Sequence, residues 1–193
     1  MAITTLDPKT ALLVVDLQKG IVGLPTAHPI GVVIENTVML LEAFRARKLP
    51  VVLINVDGVP PGRAERSFSV KAMPADWTDL IPELNRQPHD HLVTKRTRGA
   101  FAHTDLEKYL RDNSVTQVVI SGVATGAGVE STARHAHELG FNVTLAIDAM
   151  TDRDAEIHHN SVTRIFPGMG ETGTTREILD LLETTHRGDK GSA

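Results

Sequence analysis

Five short apolar runs, separated by stretches with helical spacing, constrain this chain more than any other feature. They are Ala11–Val15, Val51–Ile54, Leu92–Val93, Val118–Ile120 and Val143–Ile147. Each is short and mostly β-branched or leucine-rich. Runs that are apolar at every position, rather than every second one, suit strands buried on both faces. Between them, Val33, Thr37, Leu40, Leu41 and Phe44 recur as one stripe of an amphipathic helix that ends near Lys48, before Pro50. Thr104 to Arg111 opens with Thr104 and carries Glu107 three residues on, a capping-box pattern. Val129 to Leu139 is a helix of small residues with Gly140 as its stop. Asp154 to Ile165 and Thr175 to Leu182 complete the set, with Thr174 or Thr175 as the last cap.

Strands alternating with helices mean βαβ units, and right-handed crossovers place helices on both faces. The expected fold is therefore α/β: a three-layer, Rossmann-like arrangement around a six-stranded, mainly parallel sheet. Its weakest strand is a short piece near Gly168 to Thr172. One domain over residues 1–186 and a small, polar, flexible tail over 187–193 fit the chain's 193 residues. The stretch from Asp57 to His91 carries Gly58, Pro60, Pro61, Gly62, Pro74 and Pro82, and is long enough for a lid or binding loop.

Composition removes several function classes. The net charge is −4, which gives no bulk positive field for a nucleic-acid backbone. No apolar stretch reaches the roughly 18 residues of a membrane span. Met1 to Pro8 lacks a basic segment followed by an apolar one, so no signal peptide is expected. There is no cysteine, which excludes disulfides, thiolate metal sites and thiol catalysis, and fits a cytoplasmic location.

In open parallel sheets, ligands lie beyond the carboxyl ends of the strands. Asp16, Leu17 and Gln18 follow the first run, Asn55 to Asp57 the second, and Lys95 to Arg98 the third. Ser121 to Gly128 follows the fourth, and Asp148 and Asp152 the fifth. Asp16 ends a buried strand, where a carboxylate is either poised for proton transfer or spent on a cap or loop. Lys95 either pairs with it and holds an anion, or is a solvated surface charge. Arg96 and Arg98 suit structural pairing or carboxylate recognition. The turn from Ser121 to Gly128 either aims backbone amides at an anion or packs helix against sheet; its glycines do not follow GxGxxG. Of nine histidines, the pairs His158–His159 and His135–His137 have spacings that diverge on a helix, and no HExxH occurs, so no metal site is expected.

Taken together, Ala11-Leu-Leu-Val-Val-Asp-Leu-Gln18, Val93-Thr-Lys-Arg-Thr-Arg-Gly-Ala-Phe101, Thr104-Asp-Leu106, Val119-Ile-Ser-Gly-Val-Ala-Thr125 and Val129-Glu-Ser-Thr-Ala-Arg134 resemble the isochorismatase-like hydrolase superfamily, the cysteine hydrolase group. Gly140-Phe-Asn-Val-Thr144 and Asp148-Ala-Met-Thr-Asp152 continue the likeness. The resemblance implies a parallel sheet flanked by helices, a homo-oligomer and a small-molecule substrate. It implies a triad of aspartate, lysine and cysteine, falling on Asp16, Lys95 and the position occupied by Gly128. It also implies a cis peptide bond at Val123–Ala124, and substrate contacts from Gln18, Val123, Ala124 and Thr125.

Glycine at residue 128 removes the sulfur that attacks amides and nitriles. Nicotinamidases in this group carry an aspartate–histidine metal motif after the second strand; here the stretch reads Asn55-Val-Asp-Gly58. No metal or cofactor is expected. True isochorismatases resemble this chain in keeping aspartate and lysine beside a glycine, and they cleave a vinyl ether without a protein nucleophile. The resemblance thus implies Asp16 as acid, with catalytic silence and water-mediated amide hydrolysis as alternatives. Association of subunits is expected through Val59 to Trp77, with Phe68, Val70 and Met73, or through the helix after Gly128.

Overall fold

The computed structural model describes residues 3–60, 62–65 and 74–185. The elements run in order as β1 Thr10–Val15, α1 Lys19–Val22, α2 Ile30–Ala46, β2 Val51–Val56, β3 His91–Lys95, α3 Leu106–Asp112, β4 Gln117–Val123, α4 Glu130–Glu138, β5 Asn142–Thr151, α5 Ala155–Asn160, β6 Glu171–Gly173 and α6 Thr175–Thr185. Among the described residues the sheet has six strands, all parallel, in the order β3-β2-β1-β4-β5-β6. The expected α/β sheet is present, and its sixth strand is the short Glu171–Gly173. Among the described residues, the one antiparallel contact is an isolated bridge between Gln18 and Leu80.

β1 is buried at every residue, because its two sides feed two cores. Ala11, Leu13 and Val15 pack with Leu106 and Leu110 of α3 and Ala133 and Ala136 of α4. Leu12 and Val14 pack with Leu40, Leu41 and Phe44 of α2 and Ile178 and Leu182 of α6. Helices therefore cover both faces. Each buried Leu or Phe contributes about 2 kcal/mol of apolar transfer.

Several helix ends follow the expected chemistry. Gly140 takes φ 82°; its N–H reaches His137 O while Phe141 N reaches Ala136 O, the Schellman pairing. Thr174 and Glu177 exchange hydrogen bonds as a capping box at α6. The start of α3 differs from expectation. Asp105 is its N-cap residue and makes no side-chain cap bond. Thr104 Oγ1 instead donates to Ala100 O and accepts weakly from Leu106 N, so the hydroxyl organises the preceding loop.

Between β2 and β3, Trp77 is buried within its own chain. A Cβ on Gly20 would lie 1.8 Å from its indole, and Gly20 N donates to Trp77 O. Trp77 is thus not available to a second subunit, contrary to expectation, because its ring fills the space above α1. Val59 is 40% exposed. Phe68, Val70 and Met73, and the expected tail at 187–193, lie outside the described residues.

Candidate active site

The strand order reverses between β1 and β4, which is where open α/β sheets hold their ligands. Asp16 stands at the carboxyl end of β1. Its φ of 53° lies in the left-handed region, uncommon for a side chain but tolerated by aspartate. Its N–H donates to Ile54 O at 2.9 Å. Lys95, the last residue of β3, reaches past β2 to bring Nζ to 2.8 Å from Asp16 Oδ2. A second Lys95 bond goes to Thr97 O at 3.2 Å.

Both partners are buried, Asp16 at 6% and Lys95 at 2% exposure. Burial pushes the Asp16 carboxyl up to about 6, against the opposing pull of Lys95. The other carboxyl oxygen, Oδ1, is buried and makes no hydrogen bond. A buried acceptor without a partner is uncommon.

The third strand end supplies the turn. β4 closes with Gly122 at φ 113°, and a Cβ there would lie 2.0 Å from Val15 O, so only glycine permits this approach to β1. The Val123–Ala124 bond is cis. Thr125–Val129 then forms a wide π-helical turn that leads into α4. Gly128 lies against Asp16: its absent Cβ would sit 3.0 Å from Asp16 Oδ2, 3.0 Å from Val15 Cγ1 and 3.3 Å from Val123 O. The fold therefore gathers Asp16, Lys95 and Gly128, three positions far apart in the chain.

The expected substrate contacts fare differently. Val123 packs into the core with α2 and α6. Thr125 is buried, with Oγ1 hydrogen-bonded at 2.8 Å to His158 Nδ1. Gln18 is spent on backbone: Oε1 accepts from Val56 N at 2.8 Å, and Nε2 donates to Val56 O and Trp77 O. Among the turn amides, Gly126 N donates to Asp152 Oδ2 at 2.8 Å, while Ala127 N and Val129 N return to Ala124 O.

Asn55 donates to Thr78 O, leaving its buried Oδ1 without a partner. Arg96 holds Asp57 through two bonds, whereas Arg98 is exposed. Among the described residues, no group of three histidine or acidic side chains is arranged to hold a metal. No helix among them is long and apolar enough to cross a membrane. His158, weighed from its spacing to His159 as a metal ligand, is instead the partner of Thr125. The available signal was Asp152, placed at the same strand-end rim two residues before the N-cap of α5.

Fold and site define an α/β protein with one buried acid–lysine pair at the switch point of a parallel sheet. The isochorismatase domain family matches residues 10–177, and the chain belongs to this family of isochorismatase-like hydrolases. It is 39% identical over 182 residues to the uncharacterized isochorismatase family protein YwoC of Bacillus subtilis, covering 91% of this chain and 95% of that one. Likeness to the uncharacterized family protein YecD of Escherichia coli O157:H7 is 39% over 183 residues, covering 90% and 96%. The structure of an isochorismatase family protein from Burkholderia thailandensis superposes with a TM-score of 0.90 at 38% identity, covering 94% of this chain and 100% of that one.

Proposed function

We propose that this chain hydrolyses a small vinyl ether, with Asp16 as acid and then base and no side-chain nucleophile. The observation that supports this most directly is the Asp16 carboxyl, which gives one oxygen to Lys95 and keeps the other buried and unbound. A group held at about 6 is roughly a tenth protonated at neutral pH, enough to act as an acid in every turnover.

The protonated Oδ1 gives its proton to the vinyl carbon, leaving an oxocarbenium ion and a carboxylate that Lys95 stabilises. Water adds to the cationic carbon while its proton returns to Asp16. The resulting hemiketal breaks its C–O bond to release an alcohol and a carbonyl product. Gly128 corresponds, in this reading, to the position of the family's cysteine, and its missing side chain leaves room for substrate or water beside Asp16. The backbone at Val123 and Ala124, with Thr125, frames that space, while Gln18 supports it from the β2 side. The reaction needs no metal or cofactor. The same reading makes the protein a cytoplasmic homo-oligomer, with Val59 or the outer face of α4 available for the contact.

A second reading, silent binding of a small carboxylate or amide, has its own support: the Gly126 amide is already committed to Asp152. A panel of enolpyruvyl ethers, amides and nitriles, followed by product detection, separates the two. Vinyl ether turnover that disappears in a folded Asp16→Asn variant is the expected result. Binding without turnover supports the silent reading. Amide hydrolysis alone, or turnover that survives the substitution, overturns the proposal.

A further inference from the structure

The turn that carries Gly128 has no side-chain cap of its own. It is held from the β5–α5 segment instead. Asp152 Oδ2 accepts from Gly126 N at 2.8 Å, and His158 Nδ1 lies 2.8 Å from Thr125 Oγ1. The contact is close enough that a Cβ on Gly126 would fall 2.3 Å from Ile157 Cγ2. His158 is braced in turn. Its ring lies 4.5 Å from that of His28, centroid to centroid. His28 is anchored by its own N–H and its Nδ1, both on Thr151 Oγ1, and Ala27 N donates to Asp152 O. The chain between α1 and α2, just downstream of Asp16, is thus tied through two imidazoles to the turn that faces Asp16.

We propose that His158 is a positioning residue for the turn: through Thr125 it fixes where residues 124–128 stand against Asp16, and His28 braces its ring from the far side. This deepens the proposed acid–base hydrolysis and rests on it for its catalytic meaning. Among the described residues His158 Nδ1 is the hydrogen-bond partner of the Thr125 hydroxyl, and the direction of the bond follows the tautomer of the ring. In the tautomer that carries its hydrogen on Nε2, Nδ1 accepts the Thr125 O–H. Protonation places a hydrogen on Nδ1 and obliges a buried hydroxyl to turn its own proton away. The titratable groups facing the ring are Asp152 at the end of β5, which favours the His158 cation, and His28 and His159, which oppose it. Burial and the facing His28 hold His158 below the usual histidine range, and Asp152 only partly offsets them.

The test is an NMR titration of the full-length chain, read without any substrate. The expected result is a His158 ring protonated on Nε2 alone at neutral pH, with the amides of Thr125, Gly126 and Gly128 shifting in step with His158 as it titrates. In His158→Asn, which keeps a side-chain acceptor but does not titrate, that inflection disappears while the turn shifts at neutral pH stay close to wild type. In His28→Gln the His158 midpoint moves upward, because the ring that opposes its charge has been removed. Turn amides that ignore His158 in the wild-type titration overturn the proposal, even if a variant does not fold. So does an unchanged inflection in His158→Asn. On a vinyl ether that the chain hydrolyses, Thr125→Val lowers kcat about tenfold with little change in KM, and Thr125→Ser restores it. Failure of the vinyl ether reading leaves the titration result standing, so the two failures are distinguishable.

Discussion

The two ends of the sheet treat buried polar groups in opposite ways. At the amino end, Gln117 is fully engaged: Oε1 accepts from Asp7 N, and Nε2 donates to Thr144 Oγ1 and Thr5 O. Asp7 accepts from Thr116 and Asn142, and Thr10 Oγ1 donates to Gln117 O. At the carboxyl end, Asp16 Oδ1, Asn55 Oδ1 and Ser121 Oγ are buried without partners. A closed network ties strands together; an open one leaves desolvated capacity that a ligand or reacting group can fill. The same sheet is thus finished at one end and left incomplete at the other.

If the open end is the working end, the largest effect of any substitution falls there. Asp16→Asn lowers vinyl ether turnover by about 10²–10⁴-fold, while Gln117→Leu leaves kcat within about twofold in the same assay. Comparable losses from both would erase the distinction. Next in size is a pH effect on stability. The folded-state value of Asp16, about 6, lies above its ordinary 3.8, so folding takes up a proton in that window. The associated stability is present below 3.8 and lost as pH rises through 6, amounting to about 3 kcal/mol. Urea unfolding of wild type and Asp16→Asn from pH 4 to 7 shows this as a fall in stability with rising pH that is steeper in wild type than in the variant. Lys95→Met removes the influence that lowers the carboxyl and moves it above 6, extending that slope to higher pH.

The amino end answers through stability alone. Gln117→Leu strands several buried partners and reduces unfolding stability by about 2 kcal/mol in urea. The smallest expected effect concerns Gly128. It lies outside the left-handed region, so Gly128→Cys asks that Asp16, Val15 and the Val123 carbonyl each give by a few tenths of an ångström. The helix start and Lys95 favour its thiolate, against the nearby Asp16, and the thiol is expected to titrate below the free-cysteine value of about 8.5. Alkylation rate against pH checks this; a value at or above that of a free thiol means that residue 128 is not a nucleophile position.

The central strands were readable because burial on both faces writes itself as unbroken apolar runs. β3 was harder. It is an edge strand whose His91 and Thr94 interrupt the run, so only Leu92 and Val93 stood out. Asp16 and Lys95 were legible as strand-end residues, but their pairing spans 79 positions and needed the strand order. The partners of Gln18, the backbone of Val56 and Trp77, lie in distant segments that no local pattern reveals. Helical spacing relates His158 only to its neighbour His159, while its partners come from residues 28 and 125.

The seating of Trp77 over Gly20 restricts the order in which this protein can change. A methyl group at residue 20 would occupy space already filled by the indole, 1.8 Å away. Any larger residue there is accessible only after position 77 has shrunk, and a smaller residue at 77 leaves a void that a side chain at 20 would then fill. A single step in the opposite order must displace the indole before anything else can change. Among descendants of this sequence the two positions should therefore drift as a couple, and the segment following Asp16 should diverge in concert with the long connection between β2 and β3.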